Sequence, residues 1–410
     1  MNCRHCSTEL KRVFVDLVTA PISTAMITNE NIFEPEKYFP LKIFVCSNCK
    51  LVQVDEMQKA EEIFNERYSY FSSYSTSWLA HAKSYVDMMM ERFKFNSDSL
   101  VMEIASNDGY LLQYFKEYNI PVLGIEPSSN TADVAMQKGI ESITEFFNAD
   151  FASRNLVEKN RRPNLIIGNN VLAHVPDIND FVKGIKLALA TDGIVTMEFP
   201  HIVRLISENQ FDTIYHEHFS YFSFSVVKKI FNSQKLELFD VDQLDTHGGS
   251  LRIYAKHSDN QSISITDNVN KLLQEEDDLG VNNLDYYQGF QSVVDHIKYE
   301  VWEFLINQKK KGKRIIGYGA AAKGNTLLNY CGIKGTDLVE CVIDASPHRQ
   351  GRFLPGSRIP VFSKVEIEAR KPDFVIIFPW NLKNEITGEL DFIRNWGGQF
   401  VIFIPQTMIF

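Results

Sequence analysis

No apolar run in this chain approaches the roughly 18 residues that cross a bilayer. The opening Met1-Asn-Cys-Arg-His-Cys has no apolar core of a secretory signal, so the chain is expected in the cytoplasm, with no membrane partner. Positive charge is not in excess: 42 Lys and Arg face 52 Asp and Glu, leaving a formal net charge of −10. That balance disfavours broad contact with nucleic acid, while a local basic pocket for one phosphorylated ligand stays open. Cysteine is scarce, with six residues, which argues against a disulfide-stapled scaffold. What is present is ordinary for a globular protein, 44% hydrophobic and 23% charged. A chain of 410 residues is too long for one core and implies about two to four domains. Phe (30) and Tyr (16) are abundant, as expected where aromatics line large pockets.

Four of the few cysteines form two knuckles, Cys3-x-x-Cys6 and Cys46-x-x-Cys49. Together they supply four thiolates for one tetrahedral zinc. Two disulfides fit a reducing compartment poorly, and a redox Cys-x-x-Cys does not usually come twice. Four protein ligands leave no open position, so this metal is expected to hold the fold together and not to take part in chemistry. His5 reads as a turn residue, and Cys331 and Cys341 as inert core thiols. Lys11–Asp16 and Lys42–Val45 alternate like strands, with Pro21, Pro35 and Pro40 marking loops. The hydroxyl-rich stretch from Phe64 through Arg67, Tyr68, Tyr70, Ser72, Ser73 and Tyr74 is either a solvated linker or one wall of a polar ligand site. A helix is expected over Trp78–Phe93.

Leu100-Val-Met-Glu103-Ile-Ala105-Ser106-Asn107-Asp108-Gly109 followed by Tyr-Leu-Leu-Gln-Tyr-Phe reads as buried strand, tight polar turn and amphipathic helix. The next strand, Val122-Leu-Gly-Ile-Glu126-Pro127, ends in a carboxylate. That is the logic of a nucleoside site, in which the turn admits the ligand and the acid takes ribose hydroxyls. With a single glycine in the turn there is no pyrophosphate cradle. An S-adenosylmethionine site, with Glu103 opening the motif, fits better. Two further strands run into Gly168-Asn169-Asn170-Val-Leu-Ala-His174 and Glu198-Phe-Pro-His201. Ligands of open α/β sheets bind beyond the carboxyl ends of the strands, so Ser106–Gly109, Glu126, Asn169, Asn170 and the loop to His218 are expected to converge on one crevice. His174 and His201 read first as packing or capping residues.

Tyr215-His216-Glu217-His218-Phe-Ser-Tyr221 concentrates titratable chemistry beyond what a fold needs. A general base works best with a pKa near the operating pH, which favours His, and a neighbouring carboxylate can orient the ring. His218 is the candidate base and Glu217 and Tyr215 its helpers. Alternation along the chain would point one of the two imidazoles, His216 or His218, into the site and the other away. The bland alternative is a polar loop whose histidines bond only to nearby backbone. Downstream, Thr246-His247-Gly248-Gly249-Ser-Leu-Arg252 looks like a turn feeding an edge strand of the same sheet, with His247 either near a sugar or uninvolved. Glu275-Glu-Asp-Asp278 lies in a polar helical stretch and reads as a solvated face. Gly317-Tyr-Gly319-Ala-Ala-Ala-Lys323-Gly-Asn325 repeats strand, glycine turn and helix start. Lys323 there argues for a phosphate, and His348, Arg349 and Arg352 add positive charge. Asp344 keeps an NAD site thinkable.

In this order the two knuckles, Glu103–Gly109, Gly168-Asn-Asn-Val-Leu-Ala-His-Val-Pro-Asp177, Tyr215–Tyr221, His247-Gly-Gly-Ser-Leu-Arg252 and Gly317–Asn325 resemble the nucleotide-sugar C-methyltransferases of branched deoxysugar biosynthesis. The resemblance covers essentially the whole chain. It implies methyl transfer from S-adenosylmethionine to carbon 3 of a dTDP-linked 4-keto-6-deoxyhexose, typically a 2,6-dideoxy sugar, with His218 removing the proton from carbon 3 and Glu217 and Tyr215 assisting. The expected fold is α/β: a zinc module (1–70), a Rossmann-like methyltransferase domain (71–257), and a helical linker with a Rossmann-like sugar-nucleotide domain (258–410). Expected donor contacts are Glu103, Ala105, Ser106, Asn107, Asp108, Gly109, Glu126, Pro127, Asn169, Asn170 and His174. Expected substrate contacts are Tyr70, His174, His216, Tyr221, His247, Gly248, Lys323, Asn325, His348 and Arg349. Two rival readings are an NAD-dependent oxidoreductase using the turn at Gly317, and a non-catalytic binding protein built on the zinc module.

Overall fold

The computed structural model describes residues 1–64 and 70–410, so Arg67 and Tyr68 lie outside the described residues. The chain begins with β1 (Arg12–Ala20), β2 (Phe39–Val45) and β3 (Val52–Val54), which pair antiparallel in that order. The expected alternation over Lys42–Val45 is there, with Ile43 and Val45 turned to the core.

A long helix, Thr76–Phe93, then leads into β4 (Val101–Ile104), β5 (Val122–Ile125), β6 (Ser142–Ile143), β7 (Leu165–Asn169) and β8 (Ile194–Pro200), all parallel. Ser75 caps the helix by accepting from the Trp78 amide at 3.2 Å. The strands β4 and β7 are buried along nearly their whole length, which is why they read as apolar runs without alternation. After β8 comes β9 (Ser220–Tyr221), then the hairpin β10 (Leu236–Leu244) and β11 (Ser250–His257). The central sheet has the order β10-β11-β8-β7-β4-β5-β6. Strand order reverses between β4 and β7, the place where a crevice opens beyond the strand ends. The expectation that Ser250 onward forms an edge strand is corrected: β11 lies between β10 and β8, and every residue of it is buried.

The helix Asp267–Asp278 packs back on the middle domain, and Phe290–Lys310 leads to the last sheet. That sheet comprises β12 (Ile315–Tyr318), β13 (Val342–Ile343), β14 (Val361–Phe362), β15 (Phe374–Ile377), β16 (Gln399–Ile402) and β17 (Met408–Ile409). Its order, β14-β13-β12-β15-β16-β17, makes it a second small doubly wound sheet with one antiparallel edge. The acidic run is not uniformly solvated. Glu276 is buried and accepts from the Phe224 and Ser225 amides at 2.6 and 2.8 Å and from His201 Nε2 at 2.8 Å. It caps the helix Phe224–Ser233, satisfying donors that a helix start leaves open, so a carboxylate can be buried there. His201 is thereby a packing residue, as read.

The N-terminal sheet takes its fourth strand from the middle domain: β9 pairs antiparallel with β3, Gln53 opposite Ser220 and Val52 opposite Tyr221. One continuous apolar core joins Ile43, Val52 and Val54 of this sheet to Phe211, Ile214 and Phe219 of the loop before β9 and to Leu327 and Ile376 of the C-terminal domain. The segment 211–221 therefore runs through the joint of all three parts.

Candidate active site

The four knuckle sulfurs lie within 4.8 Å of one another, with Cys3–Cys49 and Cys6–Cys46 each at 3.5 Å. These separations are far from the ~2.05 Å of a disulfide and close to the ~3.8 Å edge of a tetrahedral zinc–thiolate cluster. The donor set fits zinc. His5 turns instead to Asn179, its Nδ1 at 2.9 Å from Oδ1. Burial pushes the Cys331 and Cys341 thiols up to about 12 and about 11, keeping them protonated and unreactive.

At the end of β4 the chain turns through Ala105, Asn107 and Gly109, with φ of 55°, 50° and 73°. A Cβ on Gly109 would stand 2.4 Å from Ile140, and its φ is positive, so glycine is required there for the turn to pack on the sheet's neighbouring helix. Glu126 at the end of β5 accepts from the Asn107 amide at 2.9 Å and the Ser128 amide at 2.8 Å, binding the second strand end to the first turn. Pro127 lies between these two points. Burial raises the Glu126 pKa, opposed by those two amides. Glu103 is fully buried, and among the described residues neither of its carboxyl oxygens has a hydrogen-bond partner. Burial lifts its pKa well above the usual carboxylate range, offset in part by the nearby Tyr110 hydroxyl, with the charges of Asp108 and Glu126 adding to the rise. Ser106 Oγ and Asp108 Oδ1 are likewise buried and unpartnered among the described residues. Unsatisfied polar atoms at such density are costly unless a ligand meets them. A ligand bearing an ammonium group and ribose hydroxyls, as S-adenosylmethionine does, fits this turn.

Residues 70–73 of the hydroxyl-rich segment close one side of the turn. Asn107 donates to the Tyr70 carbonyl at 3.1 Å and accepts from the Ser72 amide at 2.9 Å, while the Ser73 amide reaches Asp108 at 3.3 Å. From there Phe71 stacks on His348 of the C-terminal domain, ring centres 5.2 Å apart, and Tyr74 Oη approaches His348 Nε2 at 3.4 Å. Arg349 beside it pairs with Asp344 at 3.3 Å. Asp344 also accepts from the Ala320 amide at 2.7 Å and the Ser346 amide at 2.8 Å, the same brace that Glu126 makes in the middle domain.

Beyond β7 the histidines gather. His218 Nδ1 bonds the Thr213 carbonyl at 2.9 Å, which places the proton on that nitrogen and leaves the Nε2 lone pair to the Tyr215 hydroxyl at 2.7 Å. The His174 ring lies 4.7 Å from that of His218, and its Nδ1 bonds the Glu217 carbonyl at 2.6 Å. Burial holds the His218 pKa well below 6.5, and the nearby His174, His247 and Lys323 lower it further. His216 points away, its Nε2 at 3.2 Å from the Pro40 carbonyl and its ring against Phe39. Glu217 turns to the N-terminal segment, where Ser23 Oγ and Thr24 Oγ1 both donate to Oε1 at 2.9 Å. The Ser23 carbonyl in turn accepts from Asn325 at 2.7 Å. Tyr221 is buried in β9.

The opposite wall comes from the C-terminal domain. Lys323 Nζ bonds Asn381 at 2.9 Å and lies 4.3 Å over the Trp380 ring, and burial brings its pKa down to about 8 with Asp212 opposing. Trp380 donates to Asp212 at 2.8 Å and packs on Gly248, where a Cβ would come within 2.3 Å of it. His247 bonds Asn170 Nδ2 through Nε2 at 3.0 Å and meets Trp78 edge-on at 5.0 Å; burial and Lys323 push its pKa down to about 4. Asn169, the last residue of β7, precedes this contact. Trp78, Thr213, Trp380 and Asp212 were not foreseen as site residues. Nor was the buried Glu198, held by His81 at 2.9 Å, Arg252 at 3.0 Å and Thr246 at 2.8 Å. Its place as an acid at the end of β8 was the available signal.

Comparison with known proteins agrees with this geometry. Residues 78–240 match the family model described as "Methyltransferase domain", residues 245–405 "C-methyltransferase C-terminal domain", and residues 3–64 "Putative zinc binding domain". The fold is that of an S-adenosylmethionine-dependent methyltransferase that also carries a zinc-binding domain. The C-methyltransferase NovU of Streptomyces niveus is 32% identical over 409 residues, spanning 100% of this chain and 96% of that protein. The chain belongs to this C-methyltransferase family. Solved structures resemble it loosely: magnesium protoporphyrin IX methyltransferase of Synechocystis, with bound S-adenosylmethionine, has 14% identity and a TM-score of 0.34 over 43% of this chain and 78% of its own. An S-adenosylmethionine-dependent methyltransferase of Anabaena variabilis has 13% identity and a TM-score of 0.38 over 50% of this chain and 99% of its own. Among the described residues no helix is long and apolar enough to cross a membrane.

Proposed function

We propose that the protein transfers a methyl group to carbon 3 of a dTDP-linked 4-keto-6-deoxyhexose, of the 2,6-dideoxy kind, through an enolate, in the cytoplasm. The observation that carries the reading is the Tyr215–His218 pair, held at 2.7 Å beside His174 and near Lys323 of the C-terminal domain. A carbonyl makes the adjacent carbon acidic, and a positioned base then removes the proton. His218, kept neutral by burial and fixed by the Thr213 carbonyl, is the final proton acceptor. Because Tyr215 occupies Nε2, the proton passes through its hydroxyl: the bond from carbon to hydrogen breaks toward Oη as Oη releases its own proton to Nε2. Glu217 acts by anchoring the loop to Ser23 and Thr24. S-Adenosylmethionine supplies the electrophilic methyl that the enolate carbon attacks in line. Lys323, His348 and Arg349 are the groups that would meet the sugar nucleotide, a reading supported by the positive charge of Lys323 over Trp380 and of Arg349 beside Asp344. Incubation with S-adenosylmethionine and a panel of 4-ketosugar nucleotides, read by mass spectrometry, tests this: one panel member gains a single methyl, and a panel without any methylated member overturns the substrate class.

A further inference from the structure

The zinc site and the proton-removing loop are joined by one short strand. β3 begins three residues after Cys49, and its partner on the far side is β9, two residues after His218. Besides the strand ladder, the Val54 amide donates to the Phe219 carbonyl at 3.1 Å. In the middle of β3 stands Gln53, a polar residue with no exposed surface. Burying an unpaired amide costs several kcal/mol by order of magnitude, so its partners define its role. Nε2 donates to Cys3 Sγ at 3.2 Å and to the Leu51 carbonyl at 3.3 Å, and Oε1 accepts from the Arg4 amide at 3.0 Å. Both ends of the side chain are thus spent on the first knuckle, while its backbone faces Ser220. Arg4 completes the clamp. Its guanidinium donates to the Val54 carbonyl at 2.6 Å and the Pro176 carbonyl at 2.8 Å and lies 5.3 Å over the Phe219 ring. Pro176 follows His174, so the same knuckle grips the loops bearing both His174 and His218.

We propose that Gln53 is a positioning residue for methyl transfer: it ties the Cys3 corner of the zinc site to the strand pair that carries Ser220 and Tyr221, so the metal site sets where Tyr215 and His218 stand. The inference rests on the reading of Tyr215 and His218 as the proton-removing pair. A metal remote from the reacting atoms then governs rate through geometry, since a displacement of ~1 Å in a reacting group can cost ~10²-fold.

The test uses full-length, zinc-loaded protein carrying Gln53→Met, which keeps the side chain's bulk and removes both hydrogen-bonding ends. Four quantities are measured: bound zinc, affinity for S-adenosylmethionine, deuterium incorporation at carbon 3 of dTDP-4-keto-2,6-dideoxyglucose in deuterated water, and amide exchange across residues 219–221. Zinc content and donor affinity are expected to hold, because the four thiolates and the donor turn are intact. Deuterium incorporation and methyl transfer are expected to fall together by ~10-fold or more, with faster amide exchange at 219–221. Gln53→Leu likewise removes both hydrogen-bonding ends, and it stands in with the same expected loss if Gln53→Met does not fold. Wild-type incorporation in the zinc-loaded variant overturns the proposal, as does a loss of donor affinity equal to the loss of rate. The assignment of the base fails separately, if His218→Asn leaves incorporation intact whatever Gln53 variants do.

Discussion

The relay can be dissected by a double-mutant cycle on Tyr215→Phe and His218→Asn. Asn at 218 still offers an amide donor toward the Thr213 carbonyl, which wild-type Nδ1 meets at 2.9 Å, but carries no basic nitrogen. Loss of a positioned base costs ~10²- to 10⁴-fold, or about 2.7 to 5.4 kcal/mol of barrier. Tyr215→Phe breaks the 2.7 Å bond to Nε2 and interrupts the same proton path. Groups that act as one unit are non-additive, so the double variant is expected to be no slower than the worse single variant. The assay is single-turnover methyl transfer from S-adenosylmethionine to a 4-ketosugar nucleotide, with deuterium incorporation at carbon 3 as the second readout. Losses that multiply in the double variant would show that the two residues act independently and would refute the relay. Full incorporation in His218→Asn would refute the base assignment altogether. Because burial holds the His218 pKa well below 6.5, the ring stays neutral on mild acidification, and kcat/KM is not expected to fall as pH drops through 6.5. A fall with its midpoint there would mean the ring is solvated and the burial argument wrong.

Glu126→Ala is expected to weaken S-adenosylmethionine binding by about 1.5 to 3 kcal/mol, the worth of a charged acceptor, and calorimetry on the purified protein measures it. Since Glu126 also braces the Asn107 and Ser128 amides, Glu126→Gln should lose less; equal affinity in all three proteins places the ribose elsewhere. Lys323, with its pKa down to about 8, carries its charge below that value and loses it above, so affinity for dTDP is expected to drop as pH rises through about 8. Lys323→Met should abolish that pH dependence, and a persistent step would assign it to another group. Metal analysis should find about one zinc per chain, and chelation should unfold the N-terminal module before the rest; two disulfides in protein kept reduced would sink the thiolate site.

The knuckle spacing, the strand–turn–helix units at Glu103 and Gly317 and the dense motif at Tyr215–Tyr221 were legible from the residues, because each is local: period and spacing encode which way neighbouring groups face. Alternation also anticipated that His216 and His218 would part. Other features depended on contacts between distant segments, and these leave no local signature. That β9 would join the zinc module's sheet could not be read, since two residues carry too little pattern to name a strand or its partner. Glu217 looked like a helper of the neighbouring imidazole, yet its carboxylate is held by Ser23 and Thr24, brought close only by packing. Glu276, one of four consecutive acids, is buried because a helix start from another part of the chain needed an acceptor there. Thr213 entered the site through its backbone carbonyl, which side-chain identity does not reveal. Short-range stereochemistry is written in the order of the residues, whereas the choice of partner across the chain is settled only when apolar surfaces close together and every buried polar group must find a mate.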